Sequence, residues 1–423
     1  MRLRAAIPAI ALAVAVLPAC ASTGGTARSQ PQPTVTTSQT GADETGPVLI
    51  LANGQGTVSV RTASGAVAFR APGGVAAPDS STVVQAQPIA SGTRVVASDP
   101  RTGVPRWSHD VAGTRKVRVV APGGRFVALI DGDLNVPASP RASTIIDVVT
   151  SGGARALQLA GNLDPEAFST NGRYLYVLDF LPAMKPTRYT VRRVDLSTTR
   201  VEPVPDRDGG VREPMPGYAR TQLMSPDGKQ LYTFYASPEV VRDGDETYSA
   251  WVHVLNLAEG WAHCVDLNEK IGVGGNANPG LAVSPDGARL FVTDGVAHAV
   301  AAVDTKTLQV VRTRFVPGLG NADASAITAT DGRAVFARNE GGGLSTIDAQ
   351  TLALGHETIS GAIGINALRM DKGDRTLYLL TSDGLLVADR RGRILHRWPN
   401  PGDATSIDPA VTVPGSGVYR CAC

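Results

Sequence analysis

Apolar and polar residues alternate with a period of two along most of the chain, in short runs separated by turns rich in Gly, Pro and Asp. The stretch Leu281-Ala-Val-Ser-Pro-Asp-Gly-Ala-Arg-Leu-Phe-Val-Thr-Asp294 is the clearest case and predicts a β-hairpin. Pro285 presets φ for the turn, Asp286 can accept from its own downstream backbone, and Gly287 tolerates positive φ. No long window carries the 3.6-residue period of a helix. Even Ala250 to Leu267 reads as two strands around Ala258-Glu-Gly260. The pattern predicts an all-β chain.

The same unit recurs. Turns follow short strands at Ala77-Pro-Asp-Ser80, Ala121-Pro-Gly-Gly124, Ser169-Thr-Asn-Gly172, Ser225-Pro-Asp-Gly228, Ser284-Pro-Asp-Gly287, Ala329-Thr-Asp-Gly332 and Met370-Asp-Lys-Gly373. They lie 44, 48, 56, 59, 45 and 41 residues apart, close to the ~40–50 residues of a four-stranded propeller blade. A second half-motif completes each unit, as in Val300-Ala-Ala-Val-Asp-Thr-Lys-Thr-Leu-Gln-Val-Val311, where one strand ends at Asp304-Thr-Lys-Thr and another restarts. It returns at Val194-Asp-Leu-Ser-Thr-Thr199, Ile347-Asp-Ala-Gln-Thr351 and Ala97-Ser-Asp-Pro-Arg-Thr-Gly103. At the ends, Pro47–Ala52, Thr57–Arg61 and Ala66–Arg70 supply three strands lacking an inner partner, and Thr405–Thr412 supplies one strand without followers. Together they predict a blade shared by the two termini, which removes open sheet edges. The count is then eight blades; seven is the alternative if the N-terminal strands extend a neighbouring blade.

These residues resemble the YVTN and WD40-like β-propeller repeats of bacterial surface and periplasmic proteins. The signature is S-P-D-G, a strand of the L-Y-V-T type and then V-x-V-I-D-x-x-T. Leu290-Phe-Val-Thr293 and Leu231-Tyr-Thr-Phe234 match the strand, and the likeness runs over roughly residues 46 to 413. It implies a single propeller domain and leaves function open, because such folds host unrelated activities. It also implies that the S-P-D-G and D-x-x-T turns share one face, with the connections between blades and between second and third strands on the other.

The N-terminus adds a cellular address. Arg2 and Arg4 precede an apolar run from Ala5 to Ala19, too short for a span of ~20 residues and suited to the core of a signal peptide. Leu17-Pro-Ala-Cys20 resembles the lipobox of bacterial lipoproteins, which implies that Cys20 is lipidated; an ordinary secretory signal cut near Ala19 or Ala21 is the alternative. Ala21 to Gly46 holds almost no large apolar residue and reads as a disordered tether. The expected organisation is a signal peptide over 1–19, lipidated Cys and tether over 20–46, the propeller over 47–413 and a tail over 414–423. The protein is expected as a monomer, anchored through its lipid to the extracytoplasmic face of the cell membrane. Net charge is +2, from 40 basic and 38 acidic residues. No basic stripe with interleaved aromatics appears, which argues against nucleic acid as partner.

Candidate chemistry is sparse. Long insertions at Asp131–Arg141, Phe180–Arg188, Asp206–Tyr218, Ala236–Ser249 and Asn268–Pro279 are all expected on the face opposite the turns. Their acids Asp131, Asp133, Asp206, Asp208, Asp243 and Asp245 are the candidate binding-face residues. Asp131-Gly-Asp133-Leu-Asn135 begins like a Ca²⁺ loop, but its twelfth position is Ala142, which excludes an EF-hand. The remaining acids could offer hard oxygen ligands, yet solvated turn acids are commoner, and no metal is assigned. The six histidines, His109, His253, His263, His298, His356 and His396, lack metal-ligand spacing. His253 and His263 could meet within one blade, beside Trp251 and Trp261. Asp99-Pro-Arg-Thr-Gly-Val-Pro-Arg-Trp107 is similar to the D-x-x-T-G-x-x-x-W motif of quinoprotein propellers, in which the Trp packs between blades; no cofactor pocket accompanies it, and no cofactor is expected. If Cys20 is lipidated, Cys264, Cys421 and Cys423 remain. Cys264 belongs to the outer strand of the fifth blade, so bridging it to the C-terminus would cross the ring.

Two functions fit. The first is a lipoprotein whose propeller binds an envelope protein or glycan as a scaffold. The second is an exported propeller enzyme with the lactonase-like or lyase-like activity that some related propellers have. Scattered histidines and acids favour the first.

Overall fold

The predicted strands assemble into eight four-stranded antiparallel sheets set in a ring, an eight-bladed β-propeller. The computed structural model describes residues 47–407, apart from 54, 133–139, 211–213, 216–217, 244–245, 268–270, 273–278, 321–327, 360–363, 372–375 and 402. The leader, Cys20 and its tether, Asp133, Asp245, Cys421 and Cys423 lie outside the described residues. Blade 1 joins Ser406–Ile407 to Val48–Asn53, Gly56–Arg61 and Val67–Pro72. The inner strands of blades 2 to 8 are Val75–Ala76, Arg115–Val120, Asn162–Phe168, Tyr218–Met224, Pro279–Val283, Thr328–Thr330 and Ile365–Met370.

The turns form for the reasons their residues suggest. At Ser284–Gly287 the Ser284 hydroxyl donates to Asp286 Oδ1 at 2.5 Å, which also accepts from the Ala288 amide at 3.0 Å. Gly287 takes φ +73°, a conformation that costs other residues a Cβ clash. These donors, Ser284 first, hold the Asp286 carboxyl below the usual carboxylate range. Gly172 has a second constraint, since a Cβ there would stand 2.1 Å from the Phe126 ring of the preceding blade. The D-x-x-T turns use one carboxylate oxygen as a cap: Asp348 Oδ1 accepts from the amides of Gln350 at 3.1 Å and Thr351 at 2.7 Å.

Period-two alternation then fills both faces of each blade. In blade 5, Phe234 and Val252 point toward Leu290 and Val292 of blade 6. The next residue, Tyr235, points the other way with Trp251 and Cys264, against Tyr176 and Tyr189 of blade 4. Tyr189 and Tyr235 stack with centroids 4.9 Å apart. Trp107 packs, partly buried, on the cluster shared by blades 2 and 3. Closure is the predicted one: Leu51 pairs with Ile407 and Ala52 with Ser406. Ile407 is buried with Leu49 and Leu51 against Leu380 and Leu385 of blade 8.

Candidate functional site

Four inner strands are not regular. Their pairing slips between Val117 and Val119, Pro165 and Ala167, Ala219 and Thr221, and Ile365 and Ala367. The residues set loose by these bulges are Arg118, Glu166, Arg220 and Asn366, polar in every case. A bulge leaves one residue out of the ladder and re-aims its side chain.

Two of them build a buried cluster. Arg118 of blade 3 grips Asp164 of blade 4 with two parallel bonds, Nε to Oδ1 at 2.6 Å and Nη2 to Oδ2, with both side chains more than nine-tenths buried. Arg141 is buried alongside, donating to Thr144 Oγ1 at 2.9 Å and to the Leu163 carbonyl at 2.7 Å. Glu166, two residues beyond Asp164, has no such cation. Its Oε1 accepts from Gln222 Nε2 of blade 5 at 3.3 Å, and Gln222 also donates to Thr233 Oγ1 at 3.0 Å. Glu166 Oε2 is closed off from solvent without a hydrogen-bond partner, although the residue as a whole keeps some exposure. Burial, and secondarily the Asp164 charge, pushes the Glu166 carboxyl up to about 8. It is therefore predominantly protonated at neutral pH, with a hydroxyl to offer as donor.

Glu166 lines a recess of about 70 Å³ whose other walls include Val119, Phe168, Leu178, Leu231 and Tyr235. The recess shares Pro78, Pro122 and Met224 with a cavity of about 620 Å³. That larger cavity is the mouth of the central channel on the turn side, ringed by Pro226, Asp227, Pro285, Thr330 and Asp371 and floored by Leu281, Leu368 and Ile407. Its acids serve the turns. Asp227 Oδ1 accepts from Ser225 Oγ and the Lys229 amide, and Asp79 from Ser81 and the Gly123 amide. No histidine lines either cavity among the described residues.

The acids singled out from the sequence divide between two faces. Asp131 ends the second strand of blade 3 opposite Arg115, and Asp243 pairs with Glu246 at the tip of a long hairpin in blade 5, both away from the turns. Asp206 and Asp208, expected on that same face, stand on the turn side instead. The outer strand of blade 4, Val201–Pro203, stops after three residues; Pro203 and Pro205 have no amide with which to extend a ladder. The chain therefore leaves blade 4 early and runs along the outer edge of blade 5. There Asp206 bridges Ala262, the first residue of the outer strand Ala262–Asp266. Arg207 accounts for the anchoring. Its amide donates to the Ala262 carbonyl at 2.9 Å, its guanidinium donates to the carbonyls of Lys306 and Thr307 at 3.2 and 3.0 Å, and it lies over the Trp261 ring.

His253 and His263 do not meet. His253 pairs with Cys264 and His263 with Val254, so the two rings project from opposite sides of the blade. His253 is buried edge-on to Tyr235. Cys264 is buried too, its thiol donating to Met215 Sδ at 3.6 Å. His263 instead faces Asp206 and Asp208, with Nδ1 at 3.6 Å from each.

No protein-family model matches the chain, and no curated protein matches it. Among solved structures, the apo form of AztD from Citrobacter koseri is similar at 12% identity, with a TM-score of 0.55 over 85% of this chain and 96% of that one. Sqt1 of Saccharomyces cerevisiae is 11% identical, with a TM-score of 0.48 over 78% of this chain and 85% of that one. BamB of Moraxella catarrhalis is 15% identical, with a TM-score of 0.41 over 80% and 94%. At such identities the likeness is one of fold, and what this chain shares with AztD is the β-propeller of repeated blades.

Proposed function

We propose that the protein is an exported, lipid-anchored binding module whose propeller offers the turn-side channel mouth to a protein segment or glycan at the cell envelope. The observation carrying this reading is the mouth itself: a cavity of about 620 Å³, floored by apolar side chains, with the Glu166 recess opening from it. Concave apolar surfaces with a few fixed polar groups are the usual form of binding sites. Glu166 supplies one such group, a carboxyl that lines the recess and is held there by Gln222. The turn acids around the rim are already engaged by backbone amides, and the described walls lack the imidazole that an acid–base pair would ordinarily use. Binding is therefore favoured over lactonase-like or lyase-like chemistry. The lipid at Cys20 and the tether would let the body stand off the membrane and reach a partner.

Photo-crosslinking groups placed at Pro226 and Pro285 on the rim should capture one recurring envelope component in intact cells. The same groups at Asp131 and Met184, away from the turns, should not. Capture confined to Asp131 and Met184 would overturn the assignment of the face, and capture from neither pair would overturn the binding reading.

A further inference from the structure

We infer that Asp206, Asp208 and His263 form a binding site for a divalent transition-metal ion of the zinc class at the outer edge of blade 5. The site unites two segments distant in sequence: the Asp-Arg-Asp of the connection leaving blade 4, and a histidine in the outer strand of blade 5, Ala262–Asp266. One donor atom from each residue lies within 4.8 Å of the other two.

The spacing is the substance of the argument. His263 Nδ1 is closed off from solvent, makes no hydrogen bond, and stands 3.6 Å from Asp206 Oδ1 and 3.6 Å from Asp208 Oδ2. A protonated imidazole beside a carboxylate closes to about 2.7–2.9 Å, and this ring has closed on neither. Nitrogen and oxygen donors each about 2.0–2.2 Å from a tetrahedral ion stand about 3.3–3.6 Å apart, which is the separation found. Both carboxylates thus stand from the imidazole nitrogen at the distance a shared cation sets, and the three donors lie within 4.8 Å of one another.

The surroundings hold the donors in place. The Asp208 amide donates to Asp206 Oδ1 at 3.0 Å, and the Gly209 amide to the Asp206 carbonyl at 3.0 Å. Arg207, the cation nearest in sequence, is committed to the carbonyls of Lys306 and Thr307. Two carboxylates and one imidazole are a donor set suited to Zn²⁺ or Co²⁺, whereas Ca²⁺ prefers six or more oxygens. Asp206 and His263 are 9% and 17% exposed and Asp208 is 74% exposed, so the outer side of the site is open for water or a partner's side chain. The site lies outside the channel mouth and stands or falls independently of the binding reading above.

The test is calorimetric titration of Zn²⁺ into the chelator-stripped full chain, with accessible thiols alkylated so that Cys421 and Cys423 cannot contribute. We expect one equivalent bound per chain, at least tenfold weaker binding in His263→Gln and in Asp208→Asn, and unchanged binding in His396→Gln. Asp208 is exposed, so its variant remains informative even if His263→Gln folds poorly. Titration with Ca²⁺ should give no comparable binding. Absence of saturable Zn²⁺ binding, or equal binding by wild type and Asp208→Asn, would overturn the inference.

Discussion

Glu166 owes its behaviour to one residue's place in a bulge. Shifted by a single position in an unbulged strand, its side chain would point into the opposite sheet face. In the fold, its carboxyl titrates at about 8 rather than near 4.5. Between those values the folded state holds a proton that the unfolded chain has already released, so this residue makes stability decline as pH rises through that window. Glu166→Gln preserves the bond from Gln222 and removes the ionisation. Denaturant unfolding at pH 5 and pH 8 should therefore lose roughly 3–4 kcal/mol less between the two pH values in the variant than in wild type. Parallel pH profiles for the two proteins would mean that Glu166 ionises as an ordinary surface acid. Arg118 and Asp164, by contrast, satisfy each other, and removing either alone would leave a buried charge.

At the scale of an element, the strand that matters most is one of the two shortest described. Among the described residues Ser406–Ile407 contributes two, and it supplies the inner edge of blade 1 and buries Ile407 against blade 8. Deleting residues 405–423 should lower the melting temperature sharply and expose dye-binding apolar surface. Loss of the Ile407 side chain alone costs about 2–5 kcal/mol by analogy with other buried aliphatic truncations, and the unpaired edge of Val48–Asn53 adds to it. Deleting only 414–423 should leave the melting temperature within a degree or two. Equal effects from the two deletions would show that the terminal strand does not close the ring. The short outer strand of blade 4 has the opposite consequence: by ending at Pro203 it frees the following residues to cover a neighbour's edge.

At the scale of the whole molecule, the ring separates a turn side, which holds the channel mouth, from a loop side. The proposed membrane attachment involves neither. No helix among the described residues is long and apolar enough to cross a membrane, so the reading of Cys20 as a lipid anchor has a direct check. Cys20→Ser should move the protein from the membrane fraction to the soluble extracytoplasmic fraction with an unchanged melting temperature. Continued sedimentation with membranes in that variant would count against the lipid anchor.

Blade repeat, turn chemistry and the shared terminal blade were legible because each rests on local information. A Pro-Asp-Gly turn works through the φ preferences of its own residues, and the spacing of such turns counts the blades. The face of the Asp206 connection was not legible, because it depends on where the outer strand of blade 4 stops and which edge the chain then meets. Glu166 left a faint trace, a proline and two acids within the strand Asn162-Leu-Asp-Pro-Glu-Ala-Phe168, but local sequence does not say whether such a strand bulges toward a channel. His263 carried no signal at all, since its neighbours Asp206 and Asp208 precede it by more than fifty residues. Local preference determined the architecture. Which polar groups stand together, and in what dielectric, was decided only when eight blades closed around one axis and brought distant strands to a common edge or wall.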